Sequence, residues 1–471
     1  MHSRESNRLT SSGTVILGVV SQQAADPTGA AATGAGEILR ISLASFFALV
    51  TEPLFLLADS AIVGHLGTPQ LAGLGIASAV LSTVVSGCIF LAYGTTATVA
   101  RYVGAGDRPG ALTRGMDGIW LAVLVGVGVT IVGELVTTPL VALFGADHRV
   151  AGQAERYLHI AWLGAVPMLV MLAAVGVLRG VKDVRTPLVV AVIANLGNIA
   201  ANLVLVYGLG PAPRMGLAGS ATGSLIAQTL AAAAVTAVVV RQVRDASGRL
   251  VPDRGGLLDT ARTGIPLIVR TLLLRAALVL MTWAAARTGD ASLAAMQLTL
   301  SIWSFLAFAL DGLGISAQTL VGASLGSGER DGTRRLADRM VRWGAGYGVI
   351  TGLILVACAT VLAGLFTDDP RVLDLMPHAL IIAAVAQPVA GVVFVLDGIL
   401  IGAGDNAYLA QAQAVVLAVF APAALIVLAC GGGLAWLWIA FGAAFMGTRA
   451  VLLLFRERGD RWMSPSPTLA G

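Results

Sequence analysis

The chain has 471 residues, of which 57% are hydrophobic and only 12% charged, and its mean hydropathy is +0.85. A soluble domain carries roughly 25% charged residues, so this composition excludes water as the main solvent of the folded chain. The formal net charge of +4 comes from arginines that act as topology signals in loops, and it gives no reason to assign a nucleic-acid partner.

Apolar runs of about 20 residues, the length that crosses a hydrocarbon core, alternate with short polar loops along most of the chain. Helices are favoured because each backbone N–H and C=O in lipid must be satisfied within its own segment. The first six predicted helices are 38–63, 70–99, 117–144, 155–178, 187–208 and 216–241. The second six are 260–286, 292–320, 341–366, 376–401, 408–430 and 433–454. We therefore predict an all-α polytopic membrane protein with about twelve transmembrane helices.

The two ends of the chain lack spans of their own. The first 36 residues mix Ser, Arg, Ala and Gly, and their apolar patch from Val15 to Val20 is too short for a signal sequence or a span. The predicted organisation is a disordered cytoplasmic tail at 1–36, an N-lobe at 37–241, a cytoplasmic linker at 242–259, a C-lobe at 260–455 and a cytoplasmic tail at 456–471.

Basic residues indicate the orientation. If the N-terminus is inside, the outside loops and their edges hold few arginines, namely Arg149, Arg156, Arg214, Arg287 and Arg371. The inside loops hold most of the others, among them Arg108, Lys182, Arg244, Arg335 and Arg456. The positive-inside rule therefore predicts a multi-pass protein of the inner (plasma) membrane with both termini in the cytoplasm.

The two halves of the chain repeat at an offset of 222 residues. Adding 222 places Gly104, Gly106 and Gly110 on Gly326, Gly328 and Gly332, and Asp147 and Arg149 on Asp369 and Arg371. Six helices per repeat is an even number, so both halves enter the membrane from the same side and are related by an axis along its normal. Parallel repeats with a substrate site between them are typical of transporters.

Ionisable groups inside predicted spans are costly and are functional candidates by default. They are Glu52, Asp59, Glu134, Arg270, Arg275, Asp311 and Asp397. None has an ionisable counterpart at the repeat offset, so the scaffold is duplicated and these groups are not. We expect Arg270 to face the cavity between the lobes and to meet Asp311 or Asp397, and Glu134 to have a local structural role.

Glu52 and Asp59 share a face of the first helix, because they are two helical turns apart, and Pro53 favours a bend there. Asn195, Asn198 and Asn202 mark one face of the fifth helix. A carboxyl group removed from water is protonated more readily, and facing amides would supply ligands for a cation. The structural alternatives are that a carboxylate pairs with Arg270 or Arg275 or reaches the headgroups, and that the amides join helices.

Other chemistries find little support. The five histidines and three cysteines have no metal-ligand spacing, and no phosphate-binding loop ending in Lys-Ser/Thr occurs. We predict no catalytic residues, no metal and no cofactor. An ion gradient is then the expected driving force for a small-molecule substrate, and we expect a monomer.

The segment from Glu52 to Gly67, EPLFLLADSAIVGHLG, is similar to the first helix of multidrug and toxic compound extrusion (MATE) transporters of the DinF-like branch. The segments from Leu178 to Pro187, Asn198 to Gly208, Ala309 to Gly314 and Val395 to Gly402 resemble other parts of that family. The resemblance covers nearly the whole chain after the N-terminal tail.

The resemblance implies a V-shaped exporter that exchanges a proton or sodium ion for an organic substrate. Asp59 matches the family's coupling carboxylate, and Asn198 matches a polar partner. Asn202 departs from the family, in which several members carry aspartate, and this favours proton coupling; Glu52 is a candidate second carboxylate. The predicted substrate cavity comprises Asn195, Arg270, Gln297, Asp311 and Asp397.

Two other functions remain open at the level of sequence. A lipid-linked precursor flippase of the same superfamily would have a more cationic cavity and often extra helices. A polytopic membrane transferase would need paired carboxylates at a membrane boundary, and Asp368-Asp369 is the only adjacent pair.

Overall fold

The computed structural model describes residues 34–463, apart from the side chains of residues 52, 53 and 55–57. Most of the predicted N-terminal tail and the last eight residues, 464–471, lie outside the described part. Between residues 34 and 463 the chain forms helices and connecting loops and contains no strand, as predicted.

The first lobe consists of eight helical segments: α1 (Ala35–Gly64), α2 (Thr68–Cys88), α3 (Phe90–Gly104), α4 (Arg108–Ala142), α5 (His148–Leu163), α6 (Ala165–Gly180), α7 (Arg185–Tyr207) and α8 (Leu217–Asp245). The second lobe consists of α9 (Arg254–Arg287), α10 (Asp290–Gly326), α11 (Arg330–Phe366), α12 (Pro370–Ala403), α13 (Asn406–Ala429), α14 (Leu434–Ala440), a π-helical turn (Phe441–Gly447) and α15 (Thr448–Arg458). A short 3₁₀ turn, Arg461–Met463, follows.

Each predicted span has a helical counterpart. Ten spans among the described residues are long and apolar enough to cross a membrane, or eleven if α5 and α6, which meet at a 49° bend, form one span. The 30-residue helix α1 completes the twelve predicted spans. Several helices are longer than predicted: α4 begins at Arg108 instead of 117, because the Asp107 carboxylate accepts a hydrogen bond of 2.8 Å from the Gly110 amide and caps the helix there.

The offset of 222 residues holds through five spans of each lobe. α3 and α10 end at Gly104 and Gly326, and α4 and α11 begin at Arg108 and Arg330. Backbone conformations repeat too, since φ is +78° at both Gly106 and Gly328. The predicted register is wrong only for the sixth span, because the loop at 208–216 is five residues longer than the loop at 430–433 and α14 therefore begins at 434 instead of 439.

The two lobes meet most closely at the end of the bundle that carries the basic loops after α3, α6, α8, α10 and α12, called the basic end below. The hydroxyl groups of Ser42 in α1 and Ser316 in α10 are 2.8 Å apart. Nearer the basic end, the Arg101 guanidinium donates to the Ala403 carbonyl oxygen at 3.4 Å. These contacts hold α1 and α3 of one lobe against α10 and α12 of the other.

The segment between the lobes, residues 246–253, lies along the first turns of α4. The Trp120 indole N–H donates to the Leu250 carbonyl oxygen at 3.0 Å, and the Asp253 amide donates to the Asp117 carboxylate at 3.2 Å. Asp117 is completely buried. Since α8 ends at Asp245 and α9 begins at Arg254, the connection between the lobes is shorter than the predicted linker and is fixed to the N-lobe.

Candidate ion and substrate sites

Asp59 lies inside the N-lobe, where α1, α7 and α8 meet. Its side chain is 2% exposed. One carboxylate oxygen, Oδ1, accepts hydrogen bonds from Asn202 Nδ2 at 2.8 Å and from the Ser220 hydroxyl at 2.6 Å. Two neutral donors on two helices thus hold the carboxylate, and it makes no ion pair with any described residue.

Two amide oxygens beside this carboxylate lack hydrogen-bond partners among the described residues. Asn198 donates through Nδ2 to the Ser224 hydroxyl at 3.2 Å, but its Oδ1 is buried and unpartnered. The Oδ1 atom of Asn202 is in the same situation. Unsatisfied buried acceptors are uncommon because they lose their hydrogen bonds to water. A proton on Asp59 or a small cation among these oxygens would each suit the arrangement.

The predicted row of amides is therefore only partly assembled. Asn198 and Asn202 are one turn apart and both are buried, as their spacing indicated. Asn195 is half-buried at the end of the row. The side chain of Glu52, the other predicted coupling carboxylate, lies outside the described part of the chain.

A second buried polar cluster lies in the C-lobe. Asp397 in α12 accepts a hydrogen bond of 2.7 Å from the guanidinium of Arg270 in α9, and the same oxygen, Oδ2, accepts one from Arg449 in α15. All three residues are at least nine-tenths buried. Arg270 thus meets Asp397, one of the two partners expected for it. It cannot also neutralise Asp59, which answers the structural alternative in which those residues pair.

Arg449 was missed by the sequence reasoning, although it falls within the predicted span 433–454. The π-helical turn Phe441–Gly447 comes just before α15 and shifts the register of the side chains that follow it. The Arg449 guanidinium lies 5.6 Å from the centre of the Phe445 ring, which stacks on Phe441 with ring centres 4.9 Å apart. Counting every arginine inside a predicted span would have identified this residue.

Asp311 is half-buried on α10 and lies within electrostatic reach of Arg270, Arg449 and Arg179, the last of which belongs to the N-lobe. Arg275 is exposed and donates to the Ser86 hydroxyl of α2, so it also bridges the lobes. The predicted cavity residues Arg270, Asp311 and Asp397 therefore come together.

Gln297, the remaining predicted cavity residue, is exposed and far from this cluster. It is fourteen residues before Asp311 on the same helix, which corresponds to about 21 Å along the axis. Glu134 has the local role expected for it, since its carboxylate lies 2.5 Å from Nδ1 of His159 on α5.

No group of three or more His, Cys, Asp or Glu side chains suited to a metal ion occurs within residues 34–463. The cysteines Cys88, Cys358 and Cys430 are all unpaired thiols. The chemistry available between the lobes is therefore that of buried carboxylates, amides and arginines, which suits the binding and release of ions and small molecules.

Known proteins place this architecture in a family. The MatE family model matches residues 44–204 and 266–425, two segments whose starts differ by 222 residues. The chain belongs to this family, the multidrug and toxic compound extrusion transporters, and it is a multi-pass membrane protein of the transporter class.

Similar proteins cover most of the chain. The DNA damage-inducible protein F of Escherichia coli K12 is 29% identical over 437 residues, which cover 90% of this chain and 93% of that protein. The chloroplastic Protein DETOXIFICATION 44 of Arabidopsis thaliana is 29% identical and covers 88% and 80%, respectively. The crystal structure of the Vibrio cholerae MATE transporter VcmN in the bent form superposes with a TM-score of 0.84 at 21% identity, covering 93% of this chain and all of that one.

Proposed function

We propose that this protein exports an organic small molecule from the cytoplasm in exchange for protons, by alternating access between its two lobes. The observation that supports this most is Asp59, a carboxylate buried in the N-lobe with neutral partners only. Such a group is stable when it carries a proton and attracts a cation when it does not. One side chain can then bind the two ligands in turn.

Protons are the proposed coupling ion because the site is poor in negative charge. Asn202, which hydrogen-bonds Asp59, is an amide at a position where several family members have aspartate. Among the described residues Asp59 is the only carboxylate in direct contact with this site. A sodium ion would have one formal charge and two amide oxygens as ligands, whereas a proton needs only the carboxylate.

The proposed cycle follows from competition at Asp59. When the cavity opens outward, Asp59 takes a proton and loses its charge, and α1 can repack near Pro53 because the desolvation penalty has gone. A cationic or amphipathic substrate is then released, since the neutral carboxyl no longer attracts it. After the lobes reopen toward the cytoplasm, the proton leaves and the next substrate binds.

A second candidate is the flipping of a lipid-linked precursor. The observation that favours it is the charge around Asp311 and Asp397, where Arg179, Arg270 and Arg449 give three positive groups against two negative ones. The pairs at Asp397 compensate part of this charge, so we place this candidate after organic-substrate export. A membrane transferase is not proposed, because Asp368 and Asp369 lie in a loop without further described acidic ligands.

We propose that the protein works as a monomer in the inner (plasma) membrane with both termini in the cytoplasm. The basic end of the bundle then faces the cytoplasm and the lobes are closed on that side. The test is transport by purified protein in liposomes with an imposed proton or sodium gradient and a fluorescent organic cation. Export driven by the proton gradient alone supports the proposal. Export that needs sodium, or transport of a lipid-linked precursor with no organic-cation transport, contradicts it.

A further inference from the structure

A cleft of about 400 Å³ opens at the end of the N-lobe opposite the basic end. It lies between the first turn of α2 and the first half of α5. Its polar lining consists of Gln70, His148, Arg149, Gln153 and Arg156. The described residues that line it include three basic side chains and no acidic one, so an anion entering it would meet only attraction or neutral dipoles.

The basic side chains converge because of their spacing along α5. Arg149, Gln153 and Arg156 follow one another at four and three residues and therefore share a helix face. Both arginines are exposed, and neither makes an ion pair with another described residue. α2 packs closely behind this face, since a Cβ on Gly73 would lie 2.8 Å from the Cβ of Gln153. The close packing places Gln70 beside the two guanidinium groups.

Below the cleft the surface of the lobe becomes apolar. Arg156 is seven residues after Arg149, which puts it about 10 Å further along the axis. One turn later, His159 is paired with Glu134, and the side chains of Ile131, Leu135 and Leu163 around that pair are 55% to 75% exposed. A molecule with its anionic group in the cleft could therefore lay hydrocarbon chains against α4 and α5.

The equivalent place in the C-lobe shows that this charge is not a requirement of the fold. At the offset of 222, Gly152, Gln153 and Arg156 become Asp374, Leu375 and His378. Arg371 replaces Arg149 one for one, but it has an acidic neighbour, with its Nε 3.8 Å from the Asp369 carboxylate. One copy of the same helix end is thus net positive and free of acids, and the other contains acidic groups.

We propose that the N-lobe cleft binds a phosphate group, with an anionic lipid headgroup as its source. Arginine presents paired N–H donors that match phosphate oxygens, and Gln70 and Gln153 can donate to the remaining oxygens. The position of the arginines supports this, because they stand at the end of the bundle where positive residues are otherwise scarce. The apolar surface below the cleft favours a lipid over free phosphate.

The test is native mass spectrometry of the purified full-length protein with added phosphatidylglycerol or phosphatidylcholine. The variant is Arg149→Gln/Arg156→Gln, and the matched control is Arg371→Gln/His378→Gln at the equivalent positions of the C-lobe. Each basic residue near an anionic lipid surface is worth roughly a fivefold change in affinity. The N-lobe variant should therefore bind phosphatidylglycerol about twentyfold more weakly, while the control and phosphatidylcholine binding stay unchanged.

Competition with inorganic phosphate separates the two sources of the ligand. Retention of the lipid in millimolar phosphate supports a lipid site, and its displacement supports a site for free phosphate of the same chemistry. The proposal is overturned if the Arg149→Gln/Arg156→Gln protein binds phosphatidylglycerol like the unmodified protein, or if the C-lobe control loses as much binding. Both variants change exposed residues, and their thermal unfolding confirms that each is folded.

Discussion

Gly104 and Gly326 stand at equivalent positions of the two lobes, and each packs against the backbone of the opposite lobe. A Cβ on Gly104 would lie 1.8 Å from the Ala323 carbonyl oxygen, and one on Gly326 would lie 1.9 Å from the Arg101 carbonyl oxygen. Ala323 and Arg101 are themselves related by the offset of 222. The repeat axis therefore passes between these glycines, and the lobes close at the basic end because neither position carries a side chain.

Replacing Gly104 with Ala should force the lobes apart at the basic end. No L side chain fits there, since carbon and oxygen atoms cannot approach to 1.8 Å. Spin labels at Arg108→Cys and Arg330→Cys, in a background without Cys88, Cys358 and Cys430, would report the separation. We expect a longer mean distance in the Gly104→Ala protein.

The control for this substitution is Gly128→Ala in α4, where an added Cβ meets nothing within 4 Å. It makes the same change of residue in open space, so the label distances should match those of the unmodified protein. A Gly104→Ala protein with unchanged distances would show that the two glycines do not define the closed interface.

Removing Asp397 should destabilise the C-lobe more than removing either of its arginine partners. Asp397→Asn leaves the buried cations Arg270 and Arg449 side by side, and breaking a buried ion pair costs about 3–5 kcal/mol. Arg449→Met leaves the bond of 2.7 Å between Arg270 and Asp397 in place. Thermal unfolding in detergent would give the order. A smaller loss of stability for Asp397→Asn than for Arg449→Met would contradict this account of the cluster.

The arrangement of the spans was predictable because hydropathy and a repeat in loop glycines are properties of the sequence itself. The pairing of Arg270 with Asp397 was also predictable, since a buried cation needs a carboxylate and few were available in that lobe. Ser220 was not, because its place beside Asp59 depends on how α8 packs against α1, and serine is common on transmembrane helices. The π-helical turn before Arg449 likewise has no clear signature in the residues around it.

Introducing a second carboxylate should change the coupling ion. Asn202→Asp places a negative group beside Asp59, where Asn202 Nδ2 now lies 2.8 Å from the carboxylate oxygen, and two carboxylates so close favour a shared cation. We expect sodium-dependent transport to appear in liposomes. Asn195→Asp, on the same helix but half-buried, should leave sodium dependence absent. Sodium dependence in the Asn195 variant alone would place the ion site elsewhere.

The central claim is that Asp59 couples proton uptake to substrate export, and the Asp59→Asn protein tests it most directly. Asn has the shape of a protonated carboxyl group but cannot release a proton, so the protein should fold, reach the membrane at normal abundance and bind substrate weakly. The measurement is efflux of a fluorescent organic cation from liposomes under an imposed proton gradient, beside unmodified protein and a Glu52→Gln variant. The account predicts that gradient-driven efflux by the Asp59→Asn protein falls to the rate of protein-free liposomes. Efflux at the rate of the unmodified protein would contradict it.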